Sequence, residues 1–180
     1  MAAGAAIELD LLPDFQELPP FEESAPTFAE NSAGKALHYS QFAKALVLAD
    51  DSGLVVAALG GAPGVQSARY AGPHATDADR TRKLMKEMEG MQGDQRRARF
   101  VCVISLAREG RALAVISDFA EGLVGFEPQG KQGFGYDPIF FSPELGRTFA
   151  ESSEDGKNHL SHRGKAFRKL LDFLERAKFL

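Results

Sequence analysis

The chain of 180 residues is poor in cysteine, has no excess of basic residues and lacks long apolar runs. Its single cysteine, Cys102, excludes a disulfide scaffold and a cysteine-built zinc site. No apolar run approaches the roughly 18–20 residues that a membrane-crossing helix needs. The N-terminal stretch MAAGAAIELD has neither the basic flank nor the apolar core of a secretory signal, so a reducing cytoplasm is the expected compartment. Lys and Arg number 21 against 25 Asp and Glu, a formal charge of −4. That balance argues against a duplex-DNA binder, whose phosphates call for a basic surface. A small polyphosphate ligand needs only a local cluster of cations and stays open. With 44% hydrophobic and 26% charged residues, the chain suits one globular domain, or two lobes sharing a core, without covalent staples.

Hydrophobic patterning predicts a mixed α/β protein. A short strand is expected at Ile7–Leu12, followed by an extended loop rich in proline and acid. Thr27 with Glu30 three residues on reads as a helix start, and the helix continues towards Ala45, weakened at Gly34. The apolar runs Leu46–Ala49 and Leu54–Leu59 read as two strands joined by a polar corner, Asp50-Asp51-Ser52-Gly53. Thr76 opens a second helix to about Glu89. Ala98–Ala107 and Ala112–Phe119 form a hairpin about Arg108–Arg111. Residues Glu121–Glu127 form a further short strand, and Gln129–Gly135 a glycine-rich loop. The last helix runs over about Ser161–Lys178, with Phe167, Leu170, Leu171 and Leu174 on one face.

Four clusters of residues could carry chemistry. Asp50 and Asp51 follow an apolar run; they serve either as a turn or as a carboxylate site for Mg²⁺ or an activated water. Gly130–Pro138 combines glycines with Phe134, Tyr136 and Asp137. Such a loop lets backbone approach a ligand closely, an aromatic stack on a base and Asp137 read a base edge, or it is an ordinary turn with core aromatics. Lys157, His159, His162, Arg163 and Lys165 gather cations at the expected start of the last helix, suiting an anion there or a solvated basic face. Glu22, Glu23 and Glu30 form an acidic strip that either caps and solvates or joins Asp51 about a metal. Taken together, these groups meet the needs of a nucleoside triphosphate bound with Mg²⁺.

Five segments, in order, resemble the inosine/xanthosine triphosphate pyrophosphatases: Leu48–Leu54 (LADDSGL), Leu59–Val65 (LGGAPGV), Ser67–Gly72 (SARYAG), Gly133–Phe140 (GFGYDPIF) and Ser161-His162-Arg163. The similarity runs from about Leu11 to Leu174. It implies an elongated central sheet flanked by helices, two lobes with an active-site cleft between them, Mg²⁺ and a homodimer. It implies hydrolysis of ITP, dITP and XTP to the monophosphate and pyrophosphate. By motif position, Asp51 is the expected general base and metal carboxylate, Ser52 a substrate contact, and Glu22 the second metal-associated acid, with Glu23 as its alternative. Phe134, Gly135, Tyr136 and Asp137 match the base-binding loop. Lys157, His162 and Arg163 match further substrate contacts, and Lys35 and Arg69 match cations near the phosphates. The family opens with a strand, a Thr-Gly-Asn-x-x-Lys phosphate loop and a helix; none of these occurs here, so the single domain of residues 1–180 is expected to be shortened at its N-terminus. A misplaced start would account for this, and a nucleotide-binding or dimerisation module without catalysis is the alternative. The glycine-aromatic loop and Ser-His-Arg argue against a pyrimidine-nucleotide pyrophosphatase.

Overall fold

The computed structural model describes residues 7–179. Four helices are set by side-chain caps. Helix α1 (Phe28–Tyr39) starts where the Thr27 hydroxyl accepts from the Glu30 amide at 3.2 Å and donates to the Glu30 carboxylate at 2.6 Å. Helix α2 (Asp77–Glu87) carries a reciprocal Thr76–Asp79 capping box. Helices α3 (Glu154–Leu160) and α4 (His162–Arg176) meet at Ser161, whose extended backbone breaks the helical path. The sequence patterning contains no sign of α3. Its seven residues have no buried member, so no apolar stripe announces it.

The sheet has five strands in the order β1-β2-β3-β4-β5: Val47–Val56, Arg97–Arg108, Arg111–Val124, Phe140–Ser142 and Arg147–Thr148. β4 pairs antiparallel with both β3 and β5. Three expectations differ from the structure. The expected polar corner at Asp50–Gly53 lies inside the single strand β1, because ladder pairing and burial of Leu54 and Val56 override a local turn preference. The expected strand at Ile7–Leu12 is irregular chain; Leu11 is 93% exposed, and an apolar run without a pairing partner gains no ladder hydrogen bonds. The expected strand beyond Glu121 is the end of β3.

The chain divides into two compact units. One comprises the segment ending at Asp51, Cys102–Asp118 and the segment from Ala166. Its core sets Cys102, Ile104 and Leu106 against Ala166, Phe167, Leu170 and Leu174, the face expected for the last helix. The other comprises Ser52–Val101 and Phe119–Lys165, with a core of Leu54, Val56, Leu84, Met88, Phe100, Ile139, Phe140 and Phe149. The Phe100, Phe140 and Phe149 rings are mutually packed, with centroids 4.6–6.0 Å apart.

Arg96 ties this second core together through backbone carbonyls. It is 6% exposed, and it donates to the carbonyls of Val124 at 2.6 Å, Met91 at 3.2 Å, Met88 at 3.4 Å and Gly125. Burial lowers its pKa. A neutral side chain of similar length would leave these carbonyls without their charged donor. Arg96→Met should therefore cost about 3 kcal/mol or more in chemical denaturation. A cost below about 1 kcal/mol would show that the carbonyls find other partners.

Candidate active site

One constellation lies on α1 and β1. Asn31, Ser32, Lys35 and Ala36 share a face of α1, as helical spacing dictates. Ser32 seats that face: its hydroxyl donates to the Ala49 carbonyl at 3.0 Å and meets the Ser105 hydroxyl at 2.9 Å. Lys35 Nζ then reaches Glu23 at 2.9 Å and Asp51 at 3.4 Å. Gly34 has a structural reason for interrupting the helical pattern: a Cβ there would lie 2.4 Å from the tip of the Phe21 ring. The missing side chain lets Phe21 lie on the helix and brings the Glu22–Glu23 stretch to Lys35. Asp51 is 9% exposed, and its Oδ2 has no hydrogen-bond partner among the described residues. Burial raises its pKa above the ordinary carboxylate range, Lys35 opposes the rise, and the Glu23 charge adds to it.

A second constellation surrounds a cavity of about 150 Å³ lined by Ser52, Ser67, Asp77, Arg80, Phe100, Phe134–Asp137, His162 and Arg163. Asp137 is 2% exposed; it accepts the Phe134 amide at 2.9 Å and forms an ion pair with Lys157. Gly133, at φ +75°, is required here, since a Cβ would fall 2.0 Å from Asp137 Oδ2. The Phe134 ring is 60% exposed, with Lys157 Nζ 4.7 Å and the Arg163 guanidinium 5.5 Å from its centroid. Tyr136 is buried and donates to the Ser67 carbonyl at 3.0 Å. His162 stacks on Phe100 at 4.7 Å. The α3–α4 corner holds the cations: Ser161 caps the Gly164 amide at 3.1 Å, and a Cβ on Gly164 would strike the Asn158 carbonyl at 1.8 Å.

The profile of the Ham1 family matches residues 1–173. The chain belongs to the Ham1 family. It is 48% identical to a dITP/XTP pyrophosphatase of Geobacillus kaustophilus over 168 residues, covering 93% of this chain and 82% of that protein. It is 46% identical to a dITP/XTP pyrophosphatase of Listeria monocytogenes, covering 91% of this chain and 81% of the relative. Among solved structures, a HAM1 protein from Coxiella burnetii superposes with a TM-score of 0.83 at 44% identity, covering 89% of this chain and 82% of that one. The Ham1 protein of Staphylococcus aureus gives 0.85 at 39% identity, over 91% and 84%.

Within this family frame, the residues expected from motifs fall into distinct places. Ser52, Phe134, Gly135, Tyr136, Asp137, His162 and Arg163 line one cavity, and Lys157 reaches it through Asp137 and Phe134. Lys35 lies between two carboxylates. Of the two candidate acids, Glu22 is exposed, whereas Glu23 holds Lys35. Arg69 donates to Gln66 at 2.8 Å and does not line the cavity. Lys157 sits in the last turn of α3, where a cation favours the helix dipole, rather than at the start of the final helix. Asp77, Arg80 and Phe100 line the cavity without having been singled out as site residues. Asp77 hid in a capping sequence and Phe100 in a strand.

Among the described residues, no three His, Cys, Asp or Glu side chains gather as a metal cage. Mg²⁺ takes one or two carboxylates and completes its shell with water and substrate phosphate, so it does not require one. The unpartnered Asp51 Oδ2, with Glu23 sharing Lys35, is a donor set that fits such an ion.

The folded chain holds a proton on Asp51 more tightly than the unfolded chain does. Stability of the metal-free protein should therefore fall as pH rises from the ordinary carboxylate pKa through the raised one. Asn does not titrate. With chelator present, Asp51→Asn should melt higher than the natural protein near pH 8, with the gap closing towards about pH 4. A gap that is absent, or that widens on acidification, would contradict the burial of a charged Asp51.

Proposed function

We propose that this chain hydrolyses non-standard purine nucleoside triphosphates of the dITP/XTP type to the monophosphate and pyrophosphate. The observation that carries the reading is the exposed Phe134 ring flanked by Lys157 and Arg163, above the buried Asp137. A purine can stack on that ring. Lys and Arg only donate hydrogen bonds, so they suit the 6-oxo group of hypoxanthine or xanthine and leave the 6-amino group of adenine without an acceptor. The names of the Geobacillus and Listeria relatives support the same substrate class.

We assign the triphosphate end to Asp51 of β1, by its place in the LADDSGL motif. Its raised basicity suits a group that takes a proton from the attacking water. The water oxygen bonds to the α-phosphorus, the bond from that phosphorus to the bridging oxygen breaks, and pyrophosphate leaves with the electron pair. Lys35 keeps Asp51 in place and moderates its basicity. Asp51 and Glu23 would hold Mg²⁺, which when bound supplies charge neutralisation on the phosphate oxygens.

Pyrophosphate release with Mg²⁺ should be faster from ITP and XTP than from ATP by about tenfold or more in kcat/KM. Asp51→Asn should lower kcat by about 10²-fold or more while leaving nucleotide affinity within about threefold. Binding of ITP without turnover by the natural chain would favour a nucleotide-binding module instead. Preference for UTP or dTTP would overturn the purine assignment.

A further inference from the structure

The loop carrying Phe134 is held at two consecutive amides. The Phe134 amide ends on Asp137, inside the loop, at 2.9 Å. The Gly135 amide ends on Asp77 Oδ2, in the first turn of α2, at 2.7 Å. Asp77 is itself fixed by an ion pair with Arg80. Arg80 Nη1 donates to the Ala68 carbonyl at 2.6 Å and the Ala75 carbonyl at 2.8 Å. The adjacent Ser67 carbonyl accepts from Tyr136. The Asp77 carboxylate thereby joins the loop to α2, and the Arg80 guanidinium joins α2 to the segment around Ser67, by charged hydrogen bonds stronger than the neutral one from Tyr136.

This strut is also a wall. On one side lies the 150 Å³ cavity; on the other lies a cavity of about 480 Å³ lined by Asp77, Thr81, Met85, Pro128, Gly135 and Pro138. Asp77 and Gly135 line both. Gly135, at φ +62° with nothing within 4 Å of a built Cβ, has no side chain to wedge the wall in place. The hydrogen bond from its amide to Asp77 does that work.

We propose that Asp77 is a positioning residue for base selection, holding the Gly135 amide so that the Phe134 loop keeps the purine cavity at its small volume. This rests on the purine-triphosphate reading above. Asp77 acts through the Gly135 amide that it holds. Losing it lets the loop yield towards the larger cavity, so the cavity fits its base less closely and accepts other bases more readily.

The test compares natural protein with Asp77→Ala, Asp77→Ser and Asp77→Asn in steady-state release of pyrophosphate from ITP and ATP, alongside amide exchange over residues 133–137. Asp77→Ala should raise KM for ITP about tenfold with kcat within about threefold, lower the ITP-over-ATP ratio of kcat/KM, and speed exchange in the loop. Asp77→Asn keeps an oxygen acceptor for the Gly135 amide but loses the charge that pairs with Arg80, and should raise KM for ITP clearly less than Asp77→Ala does. Asp77→Ser retains a capping oxygen but is too short for the strut, and should behave like Asp77→Ala even if the latter folds poorly. An unchanged KM in folded Asp77→Ala or Asp77→Ser, an Asn variant as impaired as the Ala variant, or a loss confined to kcat would overturn the inference. Natural protein without turnover would instead overturn the functional reading on which it rests.

Discussion

The buried ion pair between Asp137 and Lys157 is the interaction on which the candidate base site depends. Asp137 has almost no solvent contact, so its charge is tolerable only with a counter-ion and hydrogen bonds in place. Lys157 supplies the first and the Phe134 amide one of the second. That requirement orders the surroundings. Gly133 is glycine because Asp137 occupies the space of its side chain. Phe134 gives its amide to Asp137 while its ring stays exposed. Lys157 is left beside that ring by the same bond that neutralises Asp137. The compact α3–α4 corner, made possible by Gly164, sets Arg163 near the same ring.

Asp51 presents the opposite use of burial. Its charge is under-compensated: one oxygen faces Lys35 while the other has no partner among the described residues. A carboxylate held this way costs the fold stability and is correspondingly ready to bind a cation or a proton. Stability given up at a functional group is a common trade in enzymes. Arg96 shows the contrasting case, a buried charge whose hydrogen bonds go to backbone carbonyls around the core.

Much of this was legible in the sequence, for identifiable reasons. Thr27, Thr76 and the Phe167–Leu174 stripe mark helices because caps and amphipathic spacing are local signals. The hairpin of β2 and β3 is equally local. The straight path of β1 through Asp50–Gly53 was not legible, since pairing with a neighbouring strand decides it. Helix α3 buries none of its residues and so leaves no pattern. In the candidate site, Phe134, Asp137, Lys157 and Arg163 stood out because glycine, aromatic and cation occur together. Asp77 did not, because a carboxylate at a helix start already has a sufficient explanation in capping. Glu23 and Glu22 are adjacent acids, and only the seating of Phe21 on Gly34 distinguishes them.

On the proposed function, Asp137 builds the purine site through Lys157 and the Phe134 amide. Calorimetric titration of the Asp137→Asn variant with inosine monophosphate tests it most directly, with near-ultraviolet dichroism reporting on the fold. Affinity should fall by about tenfold or more against the natural protein while the fold signal is retained. Equal affinity in a folded variant would contradict it.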